Sequence, residues 1–287
     1  MNRKIIARVS AGVLFLLLGM VTYMQSQNQP PKLTLNKVKD DLFEIEGDGG
    51  NVGVYVTSEG VILIDDKFDQ DHDAIMAAVK QATSEPVKYV ISTHYHADHS
   101  GGNAKMFSSG VDIISTANSR KNIVAQKQSN APPGVMPARI VFTDETSVFL
   151  GGKEARARFF GRGHTNGDAI IYFPALRTIH TGDLMAGTTP LVDYNVGGSV
   201  VEWTKTLDAA LQLDFDTVIP GHGPVTNKAG LMAYRDNIVK MRDQVTQQIR
   251  SGKTQAELAK FMEVEYKWAP NSLQQQWNVP GFMTELK

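Results

Sequence analysis

Within Thr93-His94-Tyr95-His96-Ala97-Asp98-His99-Ser100-Gly101-Gly102, three histidines and one aspartate crowd into six residues. They directly follow Val87-Lys88-Tyr89-Val90-Ile91-Ser92, a run rich in β-branched and aromatic residues that reads as a buried strand. His94 and His96, two apart where an extended segment ends, point the same way and can reach one ion. Asp98 and His99 turn away from that pair. The two glycines let the backbone curl, so that Asp98 and His99 face a second ion beside the first.

Composition narrows the chemistry around this stretch. The chain has no cysteine, which removes disulfides, a thiolate nucleophile and thiolate metal ligands, so nitrogen and oxygen donors must do all the coordination. A formal net charge of −1 with no long run of like charge leaves no electrostatic footprint for nucleic acid. A small-molecule substrate is favoured. With 287 residues, 42% of them hydrophobic, the chain can bury one large core with appendages.

The pattern HxHxDH resembles the signature of the metallo-β-lactamase superfamily, and the resemblance extends from about Lys37 to about Thr226. It implies a third imidazole, His164 in Gly161-Arg162-Gly163-His164-Thr165, for the first ion, beside His94 and His96. It implies a bridging carboxylate, Asp183 in Thr181-Gly182-Asp183, and a third ligand, His222 in Pro220-Gly221-His222-Gly223, for the second ion, beside Asp98 and His99. Asp65, at the end of the apolar strand Val61 to Ile64, matches an aspartate that orients a ligand or the loop bearing it, although Asp65 or its neighbour Asp66 reads equally as a turn or cap residue. The implied fold is an α/β (α+β) αββα sandwich, two mostly antiparallel sheets face to face with outer helices. Two zinc ions per chain suit an all-His/Asp set with an open position; iron or manganese suits it less well.

The remaining chain divides in order. Residues 1–26 open with Asn2-Arg3-Lys4 and Arg8 and continue uncharged from Val9 to Met24, a secretory signal or an N-terminal anchor that places the protein in the periplasm or outside the cell. Membrane association then runs only through that segment. Residues 27–36, with Pro30-Pro31, read as a linker, residues 37–250 as the metallo-β-lactamase-like domain and residues 251–287 as a helical extension. Arg120 to Ile140, with Pro132-Pro133-Gly134, reads as an irregular flap over the pocket. Ser199 and Glu202 predict a capping box, as do Thr254 and Glu257, and Trp268, Trp277 and Phe282 predict a tail packed back on the body. His72 reads as a surface histidine, and His180 as a packed or ligand-orienting one.

The reaction expected from the resemblance is hydrolysis of a carbonyl in an amide, lactam, ester or lactone. A water held between two cations loses its proton near neutral pH and attacks, while Asp98 orients it and carries its proton. A true β-lactamase is the specific alternative, and a non-catalytic metal- or partner-binding protein the alternative of another class. Against a β-lactamase, Lys205 is the first lysine after Asp183, too distant in sequence to grip a substrate carboxylate, which leaves Arg162 as the nearest candidate anchor.

Overall fold

In a computed structural model, residues 33–126 and 135–287 are described, and residues 33–287 form one compact unit. The expected signal or anchor lies outside the described residues. Among those residues no helix is long and apolar enough to cross a membrane.

Among the described residues, thirteen strands build two sheets. The first contains β1 (Thr34–Lys39), β2 (Leu42–Glu46), β3 (Val52–Thr57), β4 (Gly60–Ile64), β5 (Val87–Ile91), β6 (Asp112–Thr116) and β7 (Ile140–Phe142) in that spatial order. The second contains β8 (Glu145–Leu150), β9 (Lys153–Arg158), β10 (Ile170–Phe173), β11 (Thr178–His180), β12 (Thr217–Ile219) and β13 (Thr226–Asn227), again in order. Between the strands run α1 (His72–Ala82), α2 (Ala97–Ser100), α3 (Asn103–Ser108), α4 (Ala117–Gln126), α5 (Val200–Ala210), α6 (Lys228–Arg250), α7 (Gln255–Tyr266) and α8 (Leu273–Glu285).

Why two sheets stack follows from the alternation of side chains along each strand. On β4, Ile62 and Ile64 join Ile91, Ile114, Phe173 and Ile219 in the core between the sheets, whereas Val61 and Leu63 join Ile75 and Val79 of α1 in an outer core. The second sheet repeats this: Ile171 and Ile219 face inward, while Ile170 and Val218 pack outward against Trp203 and Leu207 of α5 and Leu231, Tyr234 and Ile238 of α6. A strand buried on both faces needs an unbroken apolar run, which Val61-Ile62-Leu63-Ile64 supplies. The α/β sandwich expected from the sequence is thus present.

Three details differ from expectation. The first sheet is mixed rather than mostly antiparallel: β1 to β4 form a meander, but β4, β5, β6 and β7 pair in parallel, because helices rather than tight turns connect them. The segment read as linker gives up its end to a strand, since Thr34, Leu35 and Asn36 pair with Glu46, Ile45 and Glu44. Arg120 to Gln126 belongs to α4 rather than to an irregular flap, with Ile123 buried against Tyr95 and Val135; residues 127–134 lie outside the described residues.

The tail is integral. Leu258, Met262, Trp268, Val279 and Phe282 share the core of α5 and α6, and burying a large apolar side chain contributes about 1.5–3 kcal/mol. Thr254 and Glu257 form the expected capping box at α7. At α5 the Ser199 hydroxyl accepts from the Glu202 amide, but the Glu202 carboxylate is drawn away to Arg162; Glu285 of α8 takes its place, accepting from the Ser199 hydroxyl and, at 3.0 Å, from the Val200 amide.

Candidate metal centre

Parallel pairing puts the carboxyl ends of β4 and β5 side by side, and those of β11 and β12 do the same in the other sheet. Asp65 follows β4, Thr93 to His99 follow β5, Asp183 follows β11, and His222 follows β12. His164 arrives on the connection between β9 and β10. One edge of the sandwich therefore gathers Asp65 and all seven expected metal ligands.

Their donor atoms converge in three overlapping groups: His94, His96 and His164; His94, His99 and Asp183; and Asp98, His99 and His222. His96 Nδ1 lies 3.1 Å from His94 Nε2 and 2.8 Å from His164 Nε2. His222 Nε2 lies 3.2 Å from both His99 Nε2 and Asp98 Oδ2. Asp183 stands between the two clusters, with one oxygen 3.1 Å from His99 Nε2 and the other 3.6 Å from His164 Nε2.

The outward atoms of the same rings are held by acceptors. His99 Nδ1 meets Asp65 Oδ2 at 2.7 Å, His164 Nδ1 donates to the Leu191 carbonyl at 2.5 Å, and His96 Nε2 meets Asp193 Oδ2 at 3.1 Å. With the outward nitrogens of His96 and His164 donating, their inward ones present bare lone pairs to each other. Such lone pairs at 2.8 Å repel unless something positive lies between them. Asp183 Oδ1, buried and without a hydrogen-bond partner, is a further site left open toward the same space. The donor set therefore fits divalent cations.

Electrostatics agrees. Burial, and then the charge on His99, holds His94 well below the ordinary imidazole range, so it is neutral and able to ligate. Burial also opposes charge on His99, but Asp183, Asp98 and Asp65 around it win and hold its proton well above the usual range. Three carboxylates thus draw positive charge to this point. For Asp98 burial is likewise outweighed, by His99 and His222, and its carboxyl is lowered to about 2.

The residues that surround the centre explain its rigidity. Asp65, fully buried, accepts from the Thr93 amide at 2.6 Å and hydroxyl at 2.7 Å besides meeting His99, so it fixes the whole strand end rather than capping a helix. Asp66 accepts instead from the Gly102 amide at 2.9 Å. Asp65 and Lys67 both hold positive φ, 65° and 54°, a strain the surrounding bonds must sustain. Two glycines approach the site so closely that no side chain fits: a Cβ on Gly50 would lie 2.1 Å from His99 Cε1, and one on Gly221 would lie 2.1 Å from Asp183 Oδ1.

Sequence reasoning missed Asp193, which orients His96 and accepts from the Tyr95 hydroxyl at 2.5 Å. It also missed Asn278 of α8, which accepts from the Val192 amide at 2.7 Å and donates to the Pro190 carbonyl at 2.8 Å. Asn278 thereby clamps the segment that carries both the Leu191 carbonyl and Asp193. No local signal marks either residue. His180 is buried, donates from Nε2 to the Asn51 carbonyl and accepts from the Gly182 amide; it packs rather than joining the donor groups. His72 is only 13% exposed and paired with Asp73, so it is less of a surface residue than expected. Arg162 is no free anchor: its guanidinium grips both oxygens of Glu202, because a planar fork matches a carboxylate better than water does.

Above the centre opens a cavity of about 540 Å³. Its walls include Phe68, Thr189 and Leu191 and, from α8, Leu273, Gln274 and Trp277. The described part of the expected flap contributes none of these.

Residues 45–222, well over half of the chain, match the family model of the metallo-beta-lactamase superfamily. Metallo-beta-lactamase IND-1 of Chryseobacterium indologenes is 27% identical over 171 residues, covering 58% of this chain and 69% of that protein. A hydroxyacylglutathione hydrolase of Crocosphaera subtropica is 32% identical over 133 residues, 41% of this chain and 47% of that protein. The solved structure of DIM-1 metallo-beta-lactamase superposes with a TM-score of 0.64 at 19% identity, covering 74% of this chain and all of that one. Histidines and carboxylates gathered at one sandwich edge, in the order this family model spans, make the chain a hydrolase of the metallo-beta-lactamase superfamily.

Proposed function

We propose that the protein is an exported dinuclear zinc hydrolase acting on the carbonyl of a small-molecule amide, lactam, ester or lactone. The observation that carries this reading is the convergence of two donor clusters, joined by Asp183, on the floor of an open cavity. His94, His96 and His164 would hold one zinc, Asp98, His99 and His222 the other, and Asp183 would bridge them. When bound, such a pair supplies Lewis acidity and a water that ionises near neutral pH. Asp98 lies partly exposed at the cavity floor and keeps its charge, so its free oxygen can orient an attacking water and then carry the proton to the leaving group. Asp65 and Asp193 hold the imidazoles still while this happens. Export rests on the charged start and apolar run of residues 1–24.

A β-lactamase is the second reading, favoured by the names of several relatives. The pocket argues against efficient lactam turnover: Arg162 is engaged by Glu202, and no lysine or arginine among the described residues lines the cavity. Without one charge-assisted hydrogen bond to the substrate carboxylate, turnover should fall by about tenfold to a hundredfold.

A panel of a chromogenic cephalosporin, a carbapenem, an aryl ester, a lactone and a thioester, assayed with and without chelator, tests the proposal. Chelator-sensitive activity on at least one carbonyl substrate is expected, with weak β-lactam turnover. Inactivity on all five would favour a non-catalytic binding protein on this scaffold.

A further inference from the structure

The cavity wall opposite the sheets comes from α8, beyond the residues matched by the family model. Trp277 presents its indole 5.7 Å, centroid to centroid, from the His96 ring. Leu273, one turn earlier and so on the same helix face, is 55% exposed at the cavity rim. The next residue after the indole, Asn278, is completely buried and bonded on both sides to the 190–192 backbone, so the wall is fixed relative to the imidazoles. Phe68, Ala97, Ala186 and Leu191 complete an apolar lining. The neighbouring cations are committed elsewhere: Lys67 donates to the Gly50 carbonyl at 2.6 Å from a fully buried position, and Arg162 is held by Glu202. A half-open indole and an exposed leucine above a polar floor form a surface that gains by being covered.

Taking the hydrolase reading as its basis, we propose that Trp277 is a specificity-determining residue that contacts substrate, and that the pocket selects an uncharged carbonyl compound whose aromatic or branched aliphatic group lies against the indole. The polar floor then receives the carbonyl, and the apolar wall receives the group attached to it. A carboxylate on that group would be stripped of water against Leu273 and Trp277 with no lysine or arginine among the described residues to meet it.

Calorimetric titration of the full zinc-containing protein with N-(2-naphthyl)acetamide, and with its 6-carboxylate counterpart, tests this directly. The neutral amide should bind at least about tenfold more tightly than the carboxylate, and Trp277→Ala should weaken it about tenfold while Trp277→Phe stays within about threefold of wild type. Leu273→Ser, at an exposed position where folding is not at stake, should weaken it about threefold. Unchanged affinity in both Trp277→Ala and Leu273→Ser overturns the proposal, and so does preference for the carboxylate. Turnover of 2-naphthyl acetate by the same preparations separates the two readings. Amide binding that depends on Trp277 without any ester turnover would leave the wall standing and remove the hydrolase; turnover with a KM indifferent to Trp277→Ala would do the reverse.

Discussion

His96→Ala should lower turnover of every carbonyl substrate by at least about a thousandfold, a barrier increase of about 4 kcal/mol. His96 Nδ1 is the atom on which His94 and His164 both converge, so removing it leaves two imidazoles where three meet. The fold should survive, because the His96 side chain is 14% exposed beside the cavity rather than part of any core cluster. Circular dichroism and a melting curve on the variant check this point. His72→Ala provides the comparison: that ring belongs to no donor group, and its loss should leave turnover within about twofold. A mild effect at His96, or a severe one at His72, would mean that the donor set is misassigned.

Gly221→Ala should be nearly as damaging without replacing any of the seven donor residues. Its methyl would sit 2.1 Å from the buried Asp183 Oδ1, 2.6 Å from the Gly182 carbonyl carbon and 2.7 Å from its oxygen, the last two being backbone atoms. Gly221 also donates to the Gly182 and Met185 carbonyls while its own carbonyl accepts from the Asn51 amide. The segment between β12 and His222 must therefore shift, moving Asp183 and His222 apart. Supporting groups around a metal typically alter affinity or activity by about ten- to a hundredfold, and a direct overlap with Asp183 belongs at or above the upper end. Steady-state rates and metal content of Gly221→Ala check this; rates within about threefold of wild type would show that the backbone there relaxes freely.

How much was legible depended on distance along the chain. His94, His96, Asp98 and His99 declare themselves because strand geometry acts over two residues, and His164, Asp183 and His222 each carry a short glycine-bearing signature that the family resemblance makes readable. The sandwich was legible for the same reason, through the alternation that sends Ile62 and Leu63 to different cores. Asp193 and Asn278 were not. They act on residues 97 and 86 positions away, through a clamp that exists only once α8 has docked. Trp277 read as one more tail aromatic, like the buried Trp268 and Phe282, since nothing local distinguishes an indole that faces a cavity from one that fills a core. Arg162 and Glu202 were each given a local task, an anchor and a capping partner, and the fold satisfied them with each other.

Seven side chains should together assemble a two-zinc centre. Elemental analysis of the 287-residue chain, purified after zinc-supplemented expression and extensive dialysis, tests this most directly, because each of the two donor clusters is complete without the other. About two zinc ions per chain are expected. One tightly held ion, or none, would contradict the account.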